Sequence, residues 1–191
     1  MIGSVIVPLD GSALTAEALP LARLIAERAG TPLVVLQVVP PDTPAVAQQA
    51  ARAALPTPAG SPNAQVRIRV GDPAEQIVAT AAELPDPLIV MTTHGRSGLG
   101  RWVFGSVAAR VVHDAGVPVL LRRAGVAPAT IRNILVPLDG SAQAEAALPA
   151  ALDLAALFNA RLHLVRVVEP PEVYAQLGPH RPQQHAAGGD G

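Results

Sequence analysis

Cysteine is absent from the 191 residues, and so is lysine: all 14 basic residues are arginine. The first absence excludes disulfides, thiolate metal sites and cysteine nucleophiles. The second excludes a lysine-based phosphate loop and Schiff-base chemistry. Aromatic residues are also scarce (one Trp, one Tyr, two Phe), so a chain that is 50% hydrophobic must build its core from Ala, Val and Leu. The formal net charge is only −1, which argues against a nucleic-acid partner, since that needs a concentrated basic surface. No apolar run approaches the ~20 residues that span a bilayer, and the N-terminus shows no basic segment followed by a long apolar one. A soluble, cytoplasmic protein with no membrane partner is the economical expectation.

What is present is a repeat. Val7-Pro8-Leu9-Asp10-Gly11-Ser12 returns as Val136-Pro137-Leu138-Asp139-Gly140-Ser141, and the offset of 129 holds without a gap as far as Val39 and Val168. Val5–Val7 and Leu33–Val39 are continuous apolar runs of the kind buried on both faces of a parallel sheet. Between them, Ala16 to Ala29 has helical spacing, with Leu19, Ala22 and Ala26 on one stripe. Pro20 should kink or shorten that helix, and Gly30 should end it. Ala45 to Leu55 reads as a short helix. Gln65 to Val70 alternates apolar and polar residues, as a strand near an edge does. Gly71-Asp72-Pro73 opens a further helix, with Asp72 as N-cap, Pro73 at the first helical position and Ile77, Ala81 and Leu84 buried.

Leu88 to Met91 is a fourth strand. A Gly-rich stretch follows, from Thr92 through His94, Gly95, Arg96 and Gly98 to Gly105-Ser106. Ser106 to Ala115 is then helical, with Val107, Val111 and Val112 facing in. Val117 to Leu121 is a fifth strand, confined by Pro118 to an edge or an unusual pairing. Residues 124–130 are a linker. The second copy supplies Ile131–Val136, a helix over Glu145–Phe158 and Leu162–Val168, and then the pattern fails. The prolines and the Gly-rich end carry too little apolar surface to offset the entropy of ordering, so residues 171–191 read as a disordered tail.

Strands alternating with helices imply right-handed crossovers and a parallel sheet covered on both faces. Ligands of such sheets sit beyond the carboxyl ends of the strands, where strand order reverses. Asp10 ends the first strand and Thr92 the fourth. If those strands are neighbours, a carboxylate suited to ribose hydroxyls or an adenine amine faces glycines that let backbone N–H groups approach phosphate. The helix beginning at Ser106 aims its free N–H groups and positive dipole end at the same place. Ser106 adds a hydroxyl, and Arg96 or Arg101 can neutralise charge. Asp10 is also suited to holding the Asp-Gly-Ser turn alone; Asp139, with no loop opposite, reads as structural. Ser97 and Ser106 lack the setting of a catalytic nucleophile, and His113, His163, His180 and His185 lack metal-ligand spacing, so neither catalytic residues nor a protein-held metal are expected.

These residues carry a family resemblance. Val90 through Leu99 with Gly105-Ser106-Val107, the opening Ile6 to Ser12 and the Gly71-Asp72-Pro73 turn together resemble the universal stress protein family. The resemblance covers residues 1–123 as a complete domain and residues 131–170 as the family's first strand, helix and strand only. It implies a five-stranded parallel sheet in the order 3-2-1-4-5, with helices on both faces. It further implies ATP binding, with Mg²⁺ arriving on the nucleotide. By position, Pro8, Leu9, Asp10 and Val38 would surround adenine and ribose. Met91, Thr92, His94, Gly95, Gly105, Ser106 and Val107 would line the phosphate side. Gly95, nine residues, Gly105 and Ser106 fit the family's loop pattern, while Thr92 stands where its first Gly would be. The resemblance also implies a homodimer through Val117–Leu121. The functional expectation is an adenine-nucleotide-binding regulatory module of stress response. Two alternatives stay open: a slow ATP hydrolase or phosphoryl-transfer protein using the same pocket, and a nucleotide-free dimeric scaffold in which Thr92 has closed it.

Overall fold

The computed structural model describes residues 1–56, 63–93, 105–125 and 130–167. Five parallel strands form the main sheet: β1 (Ser4–Leu9), β2 (Leu33–Val39), β3 (Ala64–Val70), β4 (Pro87–Thr93) and β5 (Val119–Arg123), in the order β3-β2-β1-β4-β5. This is the expected sheet. The reversal falls between β1 and β4, which pair in parallel from Ser4 opposite Pro87 to Ile6 opposite Ile89. The alternating β3 lies at one edge, and the short β5 at the other.

The strand period of two divides the core between the faces of the sheet. Val5, Val7 and Leu9 join Ala18, Ala22 and Ile25 on one face. Ile6 joins Val34, Leu36, Ile77, Ile89 and Val111 on the other. The covering helices are α1 (Ala13–Ala16), α2 (Leu19–Ala29), α3 (Ala45–Ala54), α4 (Pro73–Ala82) and α5 (Ser106–Asp114). The helix expected from Ala16 is thus two. Ser12 caps α1 by accepting from the Thr15 N–H, and Pro20 sits in the first turn of α2, where its missing N–H removes no helical bond. Gly30 ends α2 in the left-handed conformation, at φ 68°.

Three further differences have local causes. In α5 the inward stripe is Ala108 and Val111 with Val107 packed beside them, whereas Val112 is 49% exposed. One residue beyond Val111 is about 100° further round the helix, so Val112 cannot share its face. The fifth strand begins after Pro118, whose carbonyl accepts from the Ile89 N–H at 3.1 Å. The second copy also starts later, as β6 (Asn133–Leu138), α6 (Ala142–Glu145), α7 (Leu148–Phe158) and β7 (Arg161–Arg166).

β6 and β7 form a separate two-stranded parallel sheet. It repeats the first copy in detail: Ser141 caps α6, Pro149 sits in the first turn of α7, and Asn159 takes the left-handed position of Gly30. The unit docks through α7 on α2 of the first copy. Phe158 is buried in the first core cluster, with Leu154, Leu157 and Ile131 packed against it. Arg28 lies 4.7 Å above the Phe158 ring and donates to the Leu157 carbonyl. Arg28 and Leu157 are 129 residues apart, so equivalent positions of the two copies meet, as in an isologous contact. The Met1 ammonium adds an ion pair with Asp153 at 3.0 Å.

Candidate functional site

At the reversal point, beyond the carboxyl ends of β1 and β4, the chain encloses a cavity of about 340 Å³. Its floor is Pro8, Leu9 and Asp10 from the end of β1, with Val38 from β2 and Met91 and Thr92 from β4. Gly105, Ser106 and Val107 form one wall, at the start of α5. Each of these nine residues was singled out from the sequence, and the structure brings them together around one space. His94, Gly95, Arg96 and Gly98 lie outside the described residues.

Four lining residues carry no such mark in the sequence: Thr15, Pro73, Ile77 and Ala108. Pro73 and Ile77 read there only as the start and buried face of a helix, and Ala108 only as part of the helix from Ser106. Thr15 fell outside any element, because the helix was expected to begin after it. The legible signal was Ser12, three residues before Thr15 at the spacing of an N-terminal cap.

The carboxylate of Asp10 is held at one oxygen. Its Oδ1 accepts from the Ser12 N–H at 2.8 Å and from the Thr15 hydroxyl at 2.7 Å. Oδ2 takes no hydrogen bond from the described residues. Partial burial pushes the Asp10 carboxyl up, but the hydrogen bonds from Ser12 and Thr15 together outweigh it, and the net shift is downward. Asp10 is therefore an anion at neutral pH, with an acceptor oxygen to spare.

Opposite it, α5 begins at Gly105 without a side-chain cap. The N–H groups of its first turn are left for another acceptor, and the dipole favours an anion there. Among the described lining residues Asp10 is the only charged one, so the described part of the anion side relies on backbone rather than on cations. Thr92 is a strand residue, paired with Arg122. It is not among the positive-φ residues, which are Asp86 and Asn159 among non-glycines, so its backbone needs no glycine. Its hydroxyl is buried and has no hydrogen-bond partner among the described residues. The two helical walls are tied to each other: Arg110 of α5 donates to Asp72, the N-cap of α4, at 2.8 Å and lies 3.6 Å from Glu75. The N–H of Glu75 and then Arg110 hold the Asp72 carboxyl below its ordinary value.

Of this site, the described residues of the second copy repeat only the acidic turn. Asp139 Oδ1 accepts from the Ser141 N–H at 2.8 Å, and Gly140 has φ 88° against 85° for Gly11. Ala144 stands where Thr15 does. Opposite Asp139 the described residues supply no helix start. They also hold no cluster of three or more His, Cys, Asp or Glu side chains suited to a metal ion, and no helix long and apolar enough to cross a membrane.

A five-stranded parallel sheet with helices around it and a crevice at its reversal point, between an acidic strand end and a helix start, defines an α/β protein of the open-sheet class. The model of the universal stress protein family matches residues 1–123 and 130–189, and the chain belongs to that family. Over 51 residues it is 49% identical to a universal stress protein of Methanocaldococcus jannaschii. That stretch is 27% of this chain and spans only 30% of the relative's length. A universal stress protein from Archaeoglobus fulgidus superposes with a TM-score of 0.70 at 24% identity, over 91% of this chain and 70% of that one. Another from the same organism gives 0.51 at 25% identity, over 63% and 98%.

Proposed function

We propose that this universal stress protein binds an adenine nucleotide, ATP with its accompanying Mg²⁺, in the crevice of the first copy and acts as a regulatory module. The observation that carries the reading is the convergence on one cavity of nine residues expected there from the family resemblance, with Asp10 and the start of α5 on its walls. Pro8, Leu9, Val38 and Asp10 would take adenine and ribose. The first-turn N–H groups of α5, with the Ser106 hydroxyl, would take phosphate. His94, Gly95, Arg96 and Gly98 would complete the phosphate side. The strand conformation of Thr92 supports a usable site, because its side chain imposes no backbone strain there.

Titration calorimetry with ATP, ADP and AMP tests this. Binding is expected for the intact chain, and loss of binding is expected for Gly105→Val, whose side chain would crowd the helix start. A folded chain that gives no heat with any of the three overturns the reading. A free edge at β5 supports a homodimer in which Val117–Leu121 pairs with its symmetry mate. Light scattering is expected to give twice the mass of one chain, and a monomeric mass contradicts that pairing.

A further inference from the structure

Thr15 lines the crevice beside Asp10. Its hydroxyl donates to Asp10 Oδ1 at 2.7 Å, and its oxygen accepts from the backbone N–H of Asp10 at 3.3 Å. One side chain thus fixes both the backbone and the carboxylate of Asp10. The internal repeat shows that the fold does not need this hydroxyl. With Ala144 at the equivalent position, α6 still spans the four positions that match α1, and its cap from Ser141 is made at 3.1 Å against 3.3 Å from Ser12. What the second copy loses is the anchor from Thr15: among the described residues Asp139 keeps only its contacts with Ser141. It is also the copy with no described wall opposite.

We propose that Thr15 is a positioning residue of the nucleotide site, holding Asp10 so that its second carboxylate oxygen is presented to the hydroxyl groups of a ribose. The inference rests on the nucleotide reading of the crevice. A hydroxyl that accepts from the backbone and donates to the carboxylate of one residue restricts that side chain to one rotamer. The ligand then meets an acceptor whose ordering has already been completed in the free protein. Such preorganisation acts on ribose recognition and leaves the contacts to adenine and phosphate alone.

The test is calorimetric binding of ATP and of 2′,3′-dideoxy-ATP to the intact chain and to Thr15→Ala and Thr15→Ser, each checked for an unchanged melting profile. The intact chain should prefer ATP by about tenfold or more, as expected of hydrogen bonds to a charged acceptor. Thr15→Ala should lose most of that preference through weaker ATP binding, with dideoxy-ATP affinity unchanged, and Thr15→Ser should restore it. A Thr15→Ala protein that keeps the full preference overturns the inference alone. So does one that loses both ligands equally without rescue by serine. An intact chain that binds no nucleotide overturns the crevice reading and this inference with it.

Discussion

The two copies begin alike and end in different surroundings, and the difference shows what the shared sequence does alone. Ile6 and Leu135 are equivalent, on the face of the sheet that α4 and α5 cover in the first copy. Ile6 is fully buried, while Leu135 is 64% exposed. Asp10 and Asp139 sit in the same Asp-Gly-Ser turn with nearly the same φ at the glycine. Among the described residues only Asp10 faces a helix start across a cavity. Local sequence makes the turn, the cap and the strand. The proposed nucleotide site needs the β4–α5 half that comes later in the chain.

The largest test of this contrast is truncation at the equivalent pair. Ile6→Ala should cost about 4 kcal/mol in urea denaturation, as a fully enclosed cavity does, and Leu135→Ala no more than ~0.5 kcal/mol. Equal losses would show that Leu135 is covered. Next, Phe158→Ala should cost about 3 kcal/mol and release the second unit, seen as rapid proteolysis between the copies while residues 1–123 stay protected. Unchanged proteolysis would break the docking account. Asp10→Ala should weaken ATP by about tenfold, with Asp139→Ala indistinguishable from the intact chain.

A smaller effect separates the helix ends. Gly30→Ala should lose about 1 kcal/mol at its left-handed position, whereas Asn159→Gly should stabilise by a few tenths, since asparagine already tolerates that region. The smallest effect is acid dependence. The Asp10 carboxyl is lowered from 3.8 when folded, so its hydrogen bonds stabilise the fold above that pH and are lost as pH falls through the lower folded value. The stability gap between the intact chain and Asp10→Asn, clear at neutral pH, should therefore close in acid below 3.8; a gap that widened there would contradict the shift.

Much of this was legible in the residues. Continuous apolar runs marked β1, β2 and β4, alternation marked β3 as an edge, and Asp72-Pro73 gave the start of α4 correctly. The strand order was legible through the family resemblance of the turn and loop motifs, not from periodicity, because hydrophobic spacing does not say which strands are neighbours. The helix ends were less legible. Pro20 signalled a disturbed helix but not that the break falls before it, between Ala16 and Leu19, and a run of valines in α5 concealed which of them turns outward. Thr15 was missed because its role depends on a carboxylate five residues earlier, whose side chain comes into reach only after the turn has formed.

Calorimetric titration of the intact chain with ATP, alongside Asp10→Ala and Asp139→Ala, tests the central claim most directly: nucleotide chemistry belongs to the first copy alone. One ATP per chain is predicted, weakened by Asp10→Ala and untouched by Asp139→Ala. Two sites per chain, or a loss caused by Asp139→Ala, would contradict it.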